Sequence, residues 1–462
     1  MIAVDGQPIL TAARMRAAED AAIAAGTPVE TLMDRAGQGI AEAARRLAAG
    51  GAILILCGPG NNGGDGYVAA AVLRAAGLPV RVAASADPKT DAARNARSRW
   101  SGEIATLDRA QPAPVLIDCL FGTGLTRALD AATDANLARL ARAARIVIAA
   151  DLPSGTDADT ADAPVWASET PVTLTLTLGA LKPAHVLHPA ANACGTIRLV
   201  ALGIDRPDDI AIAAAPTLPQ PGPASHKYSR GMVAVVAGRM EGAGRLAAIA
   251  ALRSGAGYVA LYGGSGQGGP DAIVHRPYDP EALSDTRIGA ILIGPGLGRD
   301  EQARARLAAL IEADTHPLVI DGDALHLLDP DALKARDRPV ILTPHAGEFK
   351  ALFGAPAGSL LDQARAAAAR SGAIVVLKGP TTIVAGANRT IVHPGGNAWL
   401  STAGTGDVLA GTIAAQLAHP HADPLAAASA GTWLHARAAA LCGQSFIADD
   451  LANALTPARA GA

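Results

Sequence analysis

Lys378, Gly404, Gly406 and Asp407 are spaced as residues that handle a transferable phosphate would be. Two segments follow one another here. The first is Lys378-Gly379-Pro380-Thr381-Thr382; the second is Asn397, followed by Thr402-Ala403-Gly404-Thr405-Gly406-Asp407-Val408-Leu409-Ala410-Gly411. Glycines at 404 and 406 let backbone N–H groups approach an anion with no Cβ in the way. The small apolar run after Asp407 predicts a helix whose positive N-terminal end points at the same anion. Asp407 at that helix start is placed to act as a base toward a hydroxyl near the phosphate. An isolated Gly-x-Gly-Asp reads equally as an Asp-capped turn, and the neighbouring Lys-Gly-Pro-Thr-Thr segment favours the nucleotide reading.

A second group of polar residues sits in the N-terminal half. A strand over 52–57 runs into residues 58–66, which hold five glycines with Asn61, Asn62 and Asp65, and then into a helix over 67–76. Strand, glycine loop and helix in that order form a dinucleotide-type arrangement, although the loop is not Gly-x-Gly-x-x-Gly. Two further apolar runs, 114–117 and 145–150, end in Asp118-Cys119-Leu120-Phe121-Gly122-Thr123-Gly124 and Asp151-Leu152-Pro153-Ser154-Gly155. Ligands bind at the carboxyl ends of strands in doubly wound sheets, so the three segments are expected to meet on one rim. Asn62, Asp118 and Ser154 offer hard oxygens but too few carboxylates for a divalent cage, which favours a monovalent cation. In the alternative reading the glycines only turn the chain and Asp118 and Asp151 cap helices.

These groups need two separate scaffolds. The 462 residues exceed one ordinary core, and both halves alternate β-branched runs with helical stretches, the pattern of parallel α/β sheets. In the first half, helices are expected over about 11–25 and 28–49. The prolines at 216, 219, 221 and 223 mark an interdomain linker over 206–224, which leaves domains at 1–205 and 225–462. The formal net charge of −3, without a basic block, argues against nucleic acid. No apolar run has the length of a membrane span, and Cys57, Cys119, Cys194 and Cys442 lack paired spacing, as expected of free thiols in the cytoplasm.

With these motifs in place, residues 8–205 resemble the NAD(P)H-hydrate epimerases. The resemblance rests on Leu32-Met33-Asp34-Arg35-Ala36-Gly37, on 58–66, on 118–124 and on 151–155. It departs only where a Glu commonly precedes Arg35. The resemblance implies a Rossmann-like three-layer sandwich. It implies that Asn61, Asn62, Gly63, Gly64, Asp65, Gly122, Thr123, Gly124, Leu125, Thr126, Arg127 and Ala128 line the hydrate site with Asp151. It also implies potassium on Asn62, Asp118 and Ser154, and Asp151 is the candidate for moving a proton at C6 of the damaged nicotinamide ring.

Residues 225–455 resemble the ADP/ATP-dependent NAD(P)H-hydrate dehydratases, which are ribokinase-like α/β enzymes. The motifs are 226–231, Gly294-Pro295-Gly296-Leu297-Gly298, Asp321-Gly322-Asp323, Thr343-Pro344-His345-Ala346-Gly347-Glu348, 378–382 and 404–407. The loop after Gly238 is shorter than the common version and lacks its tyrosine. The resemblance implies that Ala243, Gly296, His345 and Asp407 contact the hydrate. It assigns Lys378, Gly379, Pro380, Thr381, Thr382 and Gly406 to the nucleotide, ADP or ATP, with Mg2+ bridging its phosphates. Asp407 would take the C6 hydroxyl proton as a phosphoryl group is transferred; phosphate elimination then restores NADH or NADPH. The expected partners are the small-molecule hydrates NADHX and NADPHX and the nucleotide, with no membrane and no nucleic acid, and the enzyme is expected to be a homo-oligomer. The alternative is a small-molecule kinase of the ribokinase-like class carrying a non-catalytic N-terminal binding module.

Overall fold

The computed structural model describes residues 1–125, 128–264 and 268–461. They form two compact units, Met1–Ile212 and Ala213–Ala462. The stretch expected as a linker begins with a short strand, Ile210–Ile212, bridged to Pro8 within the first unit. Its Ile-Ala-Ile alternation is buried, and the prolines that forbid strand pairing start only at 216.

In the first unit seven parallel strands run in the order β3-β2-β1-β4-β5-β6-β7. They are β1 Ile53–Cys57, β2 Val80–Ala84, β3 Ile104–Thr106, β4 Val115–Cys119, β5 Ile146–Ala150, β6 Leu174–Leu178 and β7 Thr196–Val200; Ile210–Ile212 is β8. Period-two alternation divides each central strand between two cores. Ile53, Ile55, Val115 and Ile117 pack under the helix Val29–Ala48, whereas Leu54, Leu56 and Leu116 pack under the helix Ala131–Ala143. This is a three-layer α/β/α sandwich. The helix Val29–Ala48 buries Leu32, Met33, Ala36, Ile40 and Ala44 at helical spacing, with Glu30 in its first turn and Arg45 and Arg46 in its last.

One element differs from the sequence expectation. Residues 61–66 are not loop but the opening of the helix Asn61–Ala75. Glycine is a poor helix former, yet here a side chain has no room: a Cβ on Gly63 would lie 1.9 Å from Gly58 O, and one on Gly66 2.9 Å from Cys57 Sγ. Close packing on β1 and β4 outweighs propensity. For the same reason Gly58 must be glycine, since its Cβ would stand 1.7 Å from Leu120 O.

The second unit carries β9 Met232–Val236, β10 Tyr258–Tyr262, β11 Val274–Arg276, β12 Ala290–Ile293, β13 Leu318–Ile320, β14 Val340–Leu342, β15 Ile374–Leu377, β16 Thr382–Ala385 and β17 Thr390–His393. Their order is β11-β10-β9-β12-β13-β14-β15-β16-β17. The strands from β11 to β15 are parallel, but β15-β16-β17 form antiparallel hairpins rather than the all-parallel sheet expected. Residues 378–381 leave no length for a crossover helix between β15 and β16, so the chain must turn straight back. Helices Glu241–Arg253, Thr405–Leu417 and Pro424–Cys442 cover one face through Ala247, Ala251, Leu409, Ile413 and Ala428. Gly411 is where Thr405–Leu417 rests on its neighbour, because a Cβ there would be 2.0 Å from Ala247 O. Gly411→Ala gains up to ~1 kcal/mol in helix propensity but forces the two helices apart. A net loss of about 1–3 kcal/mol is expected, read as a lower denaturant midpoint at unchanged slope.

Candidate active sites

In the first unit the strand order reverses between β1 and β4, and ligands of doubly wound sheets bind in the crevice this leaves. A cavity of about 670 Å³ opens there, within the range of small-molecule sites. Asn61, Asn62, Asp65, Gly122, Thr123, Gly124, Leu125 and Asp151 line it, so the three segments named from the sequence do meet. Gly63 and Gly64 are buried in packing instead, and Ala128 is exposed outside the lining. Thr126 and Arg127 lie outside the described residues.

Asp151 follows β5 with a φ of +67°, a left-handed backbone that Asp tolerates better than most residues. Neither it nor Asp118 caps a helix. The Asp151 Oδ2 accepts from Thr123 N–H (3.2 Å) and Thr123 Oγ1 (3.1 Å). Its Oδ1 accepts from Leu178 N–H (3.2 Å) and from the Lys182 ammonium, which is buried and also donates to Leu178 O (2.9 Å). Burial alone would raise the carboxyl, but Lys182 outweighs it and holds Asp151 below the usual carboxylate range. Burial and the negative Asp151 and Glu19 push Asp65 the other way, well above its ordinary value. Carboxyls driven apart in this manner are the arrangement from which one serves as acceptor and another as donor.

Asp118 is the penultimate residue of β4 rather than a loop start, and it is wholly buried. Leu120 N–H, Ser154 Oγ and Ser154 N–H donate to it at 3.1, 2.6 and 2.8 Å. Burial pushes its carboxyl up to about 6 despite those donors. Asn62 is the anomaly: its side-chain oxygen and nitrogen are both buried with no hydrogen-bond partner among the described residues. It packs beside Gly122, in the loop whose Phe121 N–H donates to Ser154 Oγ (2.9 Å). An unpaired buried amide costs on the order of 1–3 kcal/mol, so its oxygen is available to an ion.

In the second unit the carboxyl ends of β13, β14 and β15 present Asp321, Thr343 and Lys378. Lys378 Nζ donates to Asp321 Oδ1 (2.9 Å), which also accepts from Thr343 Oγ1 (2.6 Å), and it lies 3.8 Å from Glu348 Oε2. Burial works against its charge, but Asp321 and Glu348 prevail and hold Lys378 above the ordinary lysine range. A Cβ on Gly406 would be 3.5 Å from Lys378 Nζ, so this ammonium stands at the start of the helix Thr405–Leu417. Gly404 enters that helix at φ +90°, a conformation glycine adopts freely. Asp407 lies in the first turn, and burial with the Asp321 charge pushes its carboxyl up to about 6. From beneath, the buried His435 Nε2 meets Thr405 O at 2.9 Å and fixes the turn.

Not every expected residue joins this cluster. Gly379, Pro380 and Thr381 form the β15-β16 turn, and Thr382 begins β16. Asn397 has its side chain committed to Trp399 N–H, Ala439 O and Gly443 O, so it braces the 3₁₀ turn Ala398–Leu400. His345 caps the helix Ala346–Phe353: its Nδ1 accepts from Gly347 and Glu348 N–H at 3.0 and 3.2 Å, which leaves Nε2 toward solvent and Glu348. Ala243 and Gly296 do meet, a Cβ on Gly296 falling 3.1 Å from Ala243 Cβ.

Comparison with known proteins follows the same division. A family profile described as YjeF-related protein N-terminus matches residues 29–184, and one described as NAD(P)H-hydrate dehydratase matches 233–458. The bifunctional NAD(P)H-hydrate repair enzyme Nnr of Mycobacterium tuberculosis is 35% identical over 425 residues, covering 87% of this chain and 88% of its own. The enzyme of the same name from Gloeobacter violaceus is 35% identical over 481 residues, covering 93% and 94%. The chain belongs to the bifunctional NAD(P)H-hydrate repair enzymes. A solved ADP/ATP-dependent NAD(P)H-hydrate dehydratase from Bacillus subtilis, co-crystallised with ATP and Mg2+, is 30% identical and covers 52% of this chain and 93% of that one, at a TM-score of 0.46. In this bifunctional repair enzyme the sequence motifs passed over Glu19, Lys182 and His185, and gave no role to Asp321 or Glu348. The one signal for the missed group was a lysine set among apolar residues in Gly179-Ala180-Leu181-Lys182-Pro183.

Proposed function

We propose that the chain repairs hydrated nicotinamide dinucleotides in two steps: the first unit interconverts the R and S epimers of NADHX and NADPHX, and the second dehydrates the S epimer at the expense of ADP or ATP. The observation that carries this reading is the meeting of Lys378, Gly406 and Asp407 at one helix start, beside Asp321. A phosphoryl group held there faces a cation, backbone N–H donors and a half-buried carboxylate at once. Asp407 accepts the C6 hydroxyl proton as that oxygen takes the terminal phosphoryl group. Loss of the C6–O bond together with a proton from C5 then forms the C5–C6 double bond, releasing inorganic phosphate and the reduced ring and leaving ADP from ATP or AMP from ADP.

Mg2+ would neutralise the phosphates. Among the described residues no group of three His, Cys, Asp or Glu side chains gathers to hold a metal, so the ion would be carried by the nucleotide phosphates and water. In the first unit Asp151 moves a proton at C6 of the ring while Asn61, Asp65 and the 122–125 loop hold the hydrate. Four free cysteines, three of them buried, fit a cytoplasmic setting, and no described helix is long and apolar enough to cross a membrane. Incubation of S-NADHX with ATP separates this reading from a kinase: repair yields NADH and inorganic phosphate, whereas a kinase accumulates a stable phosphorylated hydrate.

Potassium is the proposed ion of the first unit. The orphaned Asn62 oxygen, one carboxylate (Asp118), the Ser154 hydroxyl and loop carbonyls suit a weakly hydrated monovalent ion. Bound there, it would fix the 120–122 loop against the start of the helix Asn61–Ala75. Asp118→Ala is expected to raise the KM for epimerisation and abolish its dependence on potassium chloride. Crystals grown in potassium that hold only water among these three side chains would remove the ion from the account.

A further inference from the structure

We propose that Lys182 is the positioning residue of the epimerase site, keeping Asp151 ionised and its carboxylate aimed into the cavity; this rests on reading the first unit as the epimerase. Four acidic side chains, Glu19, Asp20, Asp65 and Asp151, line that one cavity. Four like charges around one partly desolvated space cannot all stay ionised without a cation among them. Lys182 is the cation in hydrogen-bond contact with Asp151, and it is 1% exposed. Burying an ammonium costs several kcal/mol unless a partner is fixed to meet it, so its presence calls for a use. Arg16 and Lys89 also reach the lining; Arg16 and Asp20 come from the same helix as Glu19, Ala12–Ala24.

The position of Lys182 is itself locked. His185 closes the turn Pro183–His185, its Nδ1 accepting the Lys182 N–H (2.8 Å). That acceptor role leaves the proton on Nε2, which donates to Asp151 O (2.7 Å). Burial, with Lys182 nearby, pushes His185 down to about 4, so it is a neutral brace and adds no positive charge. Backbone and side chain of Asp151 are thus tied to the same turn, by His185 and by Lys182. Thr123 holds the second carboxylate oxygen, and the loop that carries Thr123 lines the cavity. The Asp151 charge is therefore set from β6 and its following turn, while its direction is shared between that turn and Thr123 of the 122–124 loop.

The test is the kcat and KM of R/S interconversion, with the spontaneous rate subtracted, in the wild type, Lys182→Gln and Lys182→Arg. Wild-type protein without epimerase activity would sink the functional reading itself, before Lys182 is at issue. Given an active wild type, Lys182→Gln keeps a donor but no charge. It is expected to lose about 10²-fold in kcat with KM within about threefold, and Lys182→Arg should recover most of the loss. Wild-type kcat in Lys182→Gln, or an arginine variant no better than the glutamine one, overturns the proposal. Should the glutamine variant not fold, an infrared difference between wild type and Asp151→Asn near neutral pH decides. A carboxylate band sustains the proposal and a protonated carboxyl band overturns it.

Discussion

Asp407→Asn is expected to bind nucleotide as the wild type does and to repair the S hydrate about 10²–10⁴-fold more slowly, the range lost with a general base. The wild-type pH profile should carry the same signature. A base must be ionised, and burial with the Asp321 charge places the Asp407 titration at about 6 instead of the ordinary carboxylate range. Dehydratase kcat/KM should therefore fall roughly tenfold per pH unit below about 6. Stability has the opposite sign. A carboxyl whose folded value is raised binds protons more readily folded than unfolded, so its contribution to stability declines as pH rises toward 6. Asp407→Asn escapes that cost and should melt higher than the wild type above pH 6. Near-normal turnover in the variant would take Asp407 out of the mechanism.

Asp151→Asn should have the largest effect in the first unit. Asparagine tolerates the φ of +67° and can still meet Thr123, so the change falls on the charge. Lys182 would then be a buried ammonium without its counter-charge, a loss of about 3–5 kcal/mol. Hydrogen exchange along Leu174–Leu178 would report it, and epimerisation should fall by about 10²–10⁴-fold. Unchanged protection of that strand would mean that the ion pair contributes nothing to the fold.

Much of this was legible before the fold was known, because strand-then-motif order leaves little freedom in a doubly wound sheet. Asp151, Gly122 and Asn62 each follow an apolar run, and parallel pairing sends those ends to one edge. The misreadings have physical causes. Residues 61–66 looked like loop because glycine propensity favours loops, while contacts under 3 Å with β1 and β4 demand glycine inside a helix. The all-parallel pattern hid the β15-β16-β17 hairpins, since a short β-branched run carries no mark of its direction. Asn397 was read for its chemistry, but its side chain is spent on a local cap. Lys182, and the role of Asp321, became visible only with the fold, which brings β6 beside β5 and β13 beside β14.

Pure R-NADHX offered to the full chain with ATP and Mg2+ tests both units at once. The account predicts complete recovery of the reduced-nicotinamide absorbance, faster than spontaneous epimerisation allows, with one inorganic phosphate and one ADP per NADH. A stable phosphorylated product, or recovery no faster than the uncatalysed epimerisation, would contradict it.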